Sequence, residues 1–512
     1  MQPRVSAGSS INELLRLHSG SIVALLCLYA GVRIFVFAAA FPLFNNVDEQ
    51  SHLMSIQMYA RGEWPGKELP HIDAESAKFY ALYGSPEYLV PKEWMTGNTW
   101  IPFYQLPPQE AYSRASRAYF HYLYRSNFEA QSPPLYYLLG AGWYRIGAAS
   151  GMRDWELAYW VRFLNPFAYM VLVWASYRFV RKAYPDRIFL WLGVPGLLAV
   201  FPQDVYFGLN RDVLSAPMAA VALLLMVNIV DEEKPARWLL IAASLFVGFT
   251  FLVNVSNCVL YGALALALWF WARKSTAASA MKMWVGSGSV FASLLPPALW
   301  MLRNHAIMGD FTGSRAKVEA LGWTLKPLSE IFNHPLFSAT GFDFLKDLCL
   351  RFWRGEYVWH MEPMRWRIAD WFYLISSAAF IVAFMVNSIR RWKRSTLAQR
   401  FAEIQAPLLV FTSVLFMAVI SLPFDFHNCP YPSREYPFFV SGRIISGALL
   451  PFVIIYVGGM DALLTRVRKW MSPAAILACL MVFITITEFQ VRRVVFSRPD
   501  NFFAIREWQQ KH

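Results

Sequence analysis

Asp48, Glu49 and His52 stand together in Asn46-Val47-Asp48-Glu49-Gln50-Ser51-His52, just past the first long apolar run of a 512-residue chain. Two adjacent carboxylates with a nearby imidazole can deprotonate a hydroxyl or hold a divalent ion. Carboxylates are costly in hydrocarbon, so a pair at the mouth of a membrane helix must face water, a metal or a substrate. A helix should also begin here. Asn45 or Asn46 would cap it, and Asp48 and Glu49 would favour the positive end of its dipole. Asp48 and His52, four apart, would share a face. The spacing fits a helix start as well as a catalytic base.

Three arginines supply the opposite charge. Arg211 ends Phe207-Gly208-Leu209-Asn210-Arg211, Arg303 follows Trp300-Met301-Leu302, and Arg443 lies in Ser441-Gly442-Arg443. Arginine at the edge of hydrocarbon either snorkels to lipid phosphates or binds a specific anion. Three of them at span ends, on the side of the acidic pair, point to a phosphate pocket.

The elements that must position these groups are membrane helices. The chain is 56% hydrophobic and only 16% charged, with 41 Phe and 21 Trp, which excludes an ordinary soluble protein. Apolar runs recur near residues 21–44, 158–180, 188–207, 213–230, 238–253, 257–271, 284–302, 369–389, 406–424, 440–460 and 473–490. They do not alternate as barrel strands do, so the expected fold is an all-α polytopic membrane protein of about eleven helices, within about 10 to 13. Residues 1–20 are polar and the first run is full length, which predicts a retained first span. The whole chain reads as one transmembrane domain.

The net charge of +13 sits in short connectors between spans, at Arg178/Arg181/Lys182/Arg187, Lys234/Arg237, Arg273/Lys274/Lys282, Arg390/Arg391/Lys393/Arg394/Arg400 and Arg466/Arg468/Lys469. With a cytoplasmic N-terminus all five face the cytoplasm, and the acidic pair faces outward. Arg492, Arg493 and Arg498 in the 491–512 tail then fall on the outer side, against the trend. There is no basic helix, zinc spacing or RNA-binding signature, so no nucleic-acid partner is expected. The five cysteines follow no metal or redox spacing; Cys349 and Cys429 lie in outward segments where a disulfide can form.

Two outer loops are long, residues 45–156 and 303–368. The first is too long for a structureless connector and should hold short helices on the membrane surface. Its aromatics, including Trp64, Tyr80, Tyr83, Trp94, Trp100 and Tyr104, suit either sugar stacking or an interfacial belt. Pro133-Pro134-Leu135-Tyr136-Tyr137 starts an apolar stretch that reads as an interfacial helix, since counting it as a span would invert every later connector. Arg33 within the first run should pair with a neighbouring helix, and Asn254 and Asn257 should bond helices across the bundle. His360, Arg365 and His427 stand in outward segments where an acceptor would approach, but their spacing demands no role.

In order along the chain, these landmarks resemble the GT-C superfamily of membrane glycosyltransferases. Asp48-Glu49-x-x-His52 is similar to the Asp-Glu motif opening that family's first outer loop, and Ser132-Pro133-Pro134-Leu135-Tyr136-Tyr137 to the helix closing it. Arg303-Asn304-His305 with Gly309-Asp310-Phe311-Thr312-Gly313, and Gly442-Arg443, resemble segments of the DUF2142-like branch. The resemblance implies transfer of a sugar from a polyprenyl-phosphate carrier to a glycolipid, polysaccharide or protein hydroxyl, at the periplasmic face of a bacterial inner membrane. It implies Asp48 as general base, Glu49 orienting acceptor or base, and Arg211, Arg303 and Arg443 holding the donor phosphate, with His52, Tyr136 and Tyr137 lining the substrate. Neither a metal nor another cofactor is expected. The chain departs from the pattern at Ile444, where the branch has Tyr, and at Gln131-Ser132, where aminoarabinose transferases carry a phosphate-binding Lys. That phosphate contact must then come from elsewhere. The rival readings are a transporter or flippase of a lipid-linked or polar solute, and a polysaccharide polymerase or ligase. A transporter should show inverted repeats and charges in broken helices.

Overall fold

The computed structural model describes residues 7–45, 48–85, 102–359, 362–467 and 473–511. Helices dominate. After α1 (Ala7–Ala40) the first loop folds into α2 (Glu49–Ala60), α3 (Ala74–Tyr83), α4 (Pro108–Tyr122), α5 (Leu135–Ala149) and α6 (Asp154–Arg162). The bundle continues through α7 (Leu164–Ala183), α8 (Ile188–Ala199), α9 (Ser215–Asp231), α10 (Arg237–Phe251), α11 (Leu260–Lys274) and α12 (Ser279–Met308). The second loop carries α13 (Arg315–Ala320) and α14 (Gly341–Arg354); α15 (Arg367–Arg391), α16 (Leu397–Ser421), α17 (Leu449–Val467), α18 (Pro473–Arg492) and α19 (Phe502–Lys511) complete the chain. Two antiparallel two-residue ribbons brace the second loop; one pairs Thr324 and Leu325 with Asp425 and Phe424, just past α16.

Among the described residues, eight helices are long and apolar enough to cross a bilayer. The protein is a helical, multi-pass membrane protein. The other expected runs form α7, which carries Arg178, Arg181 and Lys182 near its end, and the shorter apolar α8 and α10. At about 1.5 Å per residue the 12 residues of α8 cover only about 18 Å of a core near 30 Å. Together α7, α8 and α10 make up the difference from the eleven runs of the sequence: α7 carries charge near its end, α10 has only 15 residues, and the apolar stretch at 188–207 breaks at Val200 ahead of a 3-10 turn, Asp204–Phe207.

Helix direction alternates, so α1 ends where α7, α9, α11, α15 and α17 begin. Arg178, Lys182, Lys234, Arg273 and Arg390 consequently share the bundle end away from Asp48. There Lys182 pairs with Asp231 at 2.7 Å, and Arg187 with Asp461. Two of the three arginines that broke the charge trend are held by partners. Arg492 is buried, bonding Glu488 at 2.7 Å and the carbonyls of Pro202 and Arg354, while Arg498 is paired with Asp500. Arg33 on α1 reaches the same Glu488 and the carbonyl of Phe201, so one buried carboxylate ties α1 to α18. With no hydrophobic force between helices in lipid, such bonds and close packing hold the bundle. Asn254 donates to Asp212 at 2.6 Å and Asn257 to Ser215 at 3.1 Å, bonding the α10–α11 turn to the start of α9.

The described part of the loop 45–156 is largely helical as expected, and α5 packs on α2 with Tyr136, Tyr137 and Gly140 inward and Leu138, Leu139 and Ile146 exposed. That one-sided exposure suits a helix at a membrane surface. Tyr80 is a core residue, its hydroxyl donating to the Gln50 carbonyl, whereas Trp64 is exposed. Trp94, Trp100 and His360 lie outside the described residues. All five cysteines are free thiols, so Cys349 and Cys429 are not bridged.

Glycine at 442 is a packing requirement. A Cβ there would fall inside contact distance of the Phe352 and Arg351 backbone, so only glycine lets the 3-10 turn Gly442–Ala448 lie against α14. Gly442→Ala should therefore cost about 1–3 kcal/mol, the usual range for overpacking. Thermal unfolding of purified protein in detergent checks this, and an unchanged midpoint would show that α14 shifts freely.

Candidate functional site

The turn between α1 and α2 is held by Glu49. Its side chain is fully buried and accepts four hydrogen bonds: from Arg162 Nε at 2.7 Å and Leu209 N at 2.9 Å on one oxygen, from Arg162 Nη2 at 2.7 Å and Phe44 N at 2.8 Å on the other. Arg162 spends its remaining donors on the carbonyls of Ala38, Phe41 and Pro42. This clamp fixes the end of α1, the start of α2, and α6 together. Glu49 thus has no oxygen left for a substrate, contrary to the part the sequence suggested for it.

Asp48, beside it, is the reverse. A helix begins here as expected, with Asp48 at its N-cap position in the left-handed conformation (φ 67°), but the Asp48 side chain makes no capping bond and is not spent on the helix. Phe44, at φ 59°, is also left-handed, which costs a bulky residue strain that the Glu49 bond opposes. Strain of this kind persists where surrounding structure imposes it, and it clusters at functional sites. The Asp48 side chain is 30% exposed, and its nearest cation is Arg443 Nη2 at 3.9 Å, beyond hydrogen-bond reach.

Around Asp48 gather groups from five segments. Glu129, just before the Pro-Pro helix, is buried and saturated: Lys317 Nζ at 2.8 Å, Ser132 Oγ at 2.8 Å and Arg211 Nη1 at 3.1 Å all meet its carboxylate. Arg443 gives its Nε to Glu356 at 2.5 Å, leaving Nη1 and Nη2 3.9 Å from Asp212 and Asp48. Glu356 also accepts from Ser441 at 2.9 Å, so it aims the guanidinium. Lys317 is delivered by α13, whose start is held by Asp310 accepting from the Ser314 and Arg315 amides at 2.8 and 3.0 Å. That is what Gly309-Asp310-x-x-Gly313 does here, with both glycines at positive φ.

The two carboxylates are driven apart. Burial, then the neighbouring Glu129 charge, pushes Asp48 above its ordinary value, against Lys317, Arg443 and Arg211. For Glu129 burial also works upward, but Arg211 and Lys317 outweigh it and hold the group well below the usual carboxylate range. A carboxylate with a raised pKa is the better base, and a fixed neighbouring anion keeps it so.

His52 is buried. Its Nδ1 lies 3.0 Å from the Tyr137 hydroxyl, and its Nε2 has no partner among the described residues. Burial lowers it to about 3, so it is a neutral ring at physiological pH. Below about pH 6.5 the unfolded chain takes up a proton that folded His52 refuses until about pH 3. Its contribution is therefore present above pH 6.5 and lost as pH falls toward 3. Melting midpoints across that range should decline less steeply in His52→Phe than in the wild type; equal slopes would contradict the assignment.

Of the residues singled out by sequence, Asp48, His52, Tyr137, Arg211 and Arg443 converge. Tyr136 is buried beneath them, edge-on to Tyr137. Arg303 stands apart from this cluster, donating to the Pro65 carbonyl at 2.7 Å and lying over Trp64 and Trp300. Glu129, Lys317, Asp212, Glu356 and Arg162 were not singled out. Among the described residues no three His, Cys, Asp or Glu groups converge as a metal-ligand set.

Fold and site define a class: a multi-pass helical membrane protein with a cluster of charged, partly exposed side chains at one end of its bundle. No protein-family model, curated protein or solved structure matches the chain.

Proposed function

We propose that the chain is a GT-C-type glycosyltransferase, moving a sugar from a polyprenyl-phosphate donor to an acceptor hydroxyl on the outer face of the bacterial inner membrane. The observation that carries this is the facing of Asp48, an uncommitted carboxylate, and the two free terminal nitrogens of Arg443. As the acceptor oxygen attacks C1, its proton passes to Asp48, the C1–O bond breaks, and the electron pair leaves on the phosphate. That phosphate is already anionic and needs cations more than a proton, which Arg443, Arg211 and Lys317 supply. Glu129 anchors Arg211 and Lys317. Glu49 serves the fold. Arg303 has no part in the phosphate contact on this reading.

The basic bundle end is then cytoplasmic, by the positive-inside rule, and the Asp48 cluster periplasmic. Eleven crossings are part of the same proposal, with α7, α8 and α10 completing the bundle. Envelope glycans compared by mass spectrometry between a strain lacking the chain and one carrying it test the activity. Transfer predicts loss of one sugar from its acceptor while the lipid-linked donor persists outside. Intact glycans would overturn it, and a donor confined to the cytoplasmic leaflet would favour a flippase.

A further inference from the structure

The second outer loop presents an apolar face that the chain itself leaves uncovered. Leu328, Phe332 and Phe342 are 81%, 79% and 77% exposed, and Phe337 joins them. Large contiguous apolar patches are rare on surfaces that meet only water. Phe342 and Leu345, three apart, share one face of α14, while Phe344 and Leu348 point into the core and Asp343 pairs with Lys346 at 2.6 Å on the polar side. The helix has three environments.

The patch continues onto a membrane span. A groove of about 370 Å³ separates Leu336, Phe337, Phe342 and Leu345 from Phe411 and Leu415 of α16. Those two residues precede the last residue of α16, Ser421, by about 15 and 9 Å along the axis at about 1.5 Å per residue. Phe411, Leu415 and Val419 are the exposed, lipid-side residues of that span. A loop segment packed this far down a span lies below the level at which the span leaves hydrocarbon. The Leu325–Phe424 pairing, just past the end of α16, fixes where the descent starts.

We infer that residues 328–345 are immersed in the outer part of the bilayer at the Asp48 end of the molecule, and that an acyl chain of the surrounding lipid fills the groove against α16. The occupant is set by continuity with the lipid-facing side of α16, independently of the proposed activity. The segment thereby anchors the loop that also carries Lys317.

The test uses the full chain, with its five cysteines changed to Ser, in phosphatidylcholine vesicles. An environment-sensitive fluorophore is placed on Phe342→Cys, on Phe332→Cys, on Phe411→Cys as the lipid standard and on Lys346→Cys as the water standard. Immersion predicts that the labels at 332 and 342 emit like the one at 411 and are quenched several-fold more by lipids brominated on their acyl chains than by aqueous iodide. Labels that follow position 346 would overturn the inference. So would labels quenched by neither agent, which would show a protein surface, such as a second copy, covering the patch.

Discussion

Asp48→Asn is expected to lower transfer by about 10²- to 10⁴-fold, the usual yield of a positioned base, without lowering stability. The two halves have one cause. Asp48 is held above its ordinary 3.8, first by burial and then by Glu129, so the folded protein favours its uncharged form. A folded-state pKa above the unfolded one means that the stability it contributes is present below pH 3.8 and lost as pH rises through the folded value. The amide resembles that uncharged form at every pH, and Asn tolerates the left-handed backbone at φ 67°. The midpoint of thermal unfolding at neutral pH should hold or rise while turnover collapses. In the wild type, turnover should fall on the acid side with a midpoint above 3.8, because the base must be ionised. A variant that loses stability in step with activity would make Asp48 a structural residue.

Glu49→Ala and Arg162→Met are expected to do the opposite, destabilising by about 3–5 kcal/mol as removal of one partner from a buried ion pair does. Each leaves an uncompensated charge: Glu49 alone against two amides, or Arg162 alone against three carbonyls. Folded yield in membranes should fall sharply for either single change. The pair Glu49→Gln with Arg162→Met should recover part of it, since neither charge is then buried alone. Full yield with either single variant would show that the α1–α2 turn has other supports. Neighbours in sequence, Asp48 and Glu49 thus separate cleanly, one costing activity and the other stability.

Much of the bundle was legible because membrane helices announce themselves by length and apolarity. The sequence marks α1, α9, α15 and α16 to within a few residues at the ends nearer Asp48. It overextends 188–207, where α8 stops at Ala199, three residues before Pro202, although the surrounding residues stay apolar. At the site, Asp48, His52, Arg211 and Arg443 were legible through their position at span ends. The burial of Glu49 was not legible because adjacency in sequence says nothing about facing: Asp48 precedes α2 in the left-handed region and stays partly exposed, while Glu49, the first helical residue, is buried. Glu129 and Lys317 are invisible to spacing, being 188 residues apart and joined only by folding. One signal for Glu129 was present, an acidic residue three before Ser132 in the Pro-Pro helix motif. Arg162 carried one as well, since it lies inside the expected run 158–180, where a charge needs a partner as Arg33 does.

Envelope glycan profiles by mass spectrometry from three strains, at matched protein level, test the central claim most directly. The strains carry a deletion, the deletion with wild-type protein, and the deletion with Asp48→Asn. One sugar mass should vanish in the deletion, return with the wild type and stay absent with Asp48→Asn. Restoration of that mass by Asp48→Asn would contradict it, removing the base from the mechanism and bringing the transporter reading forward.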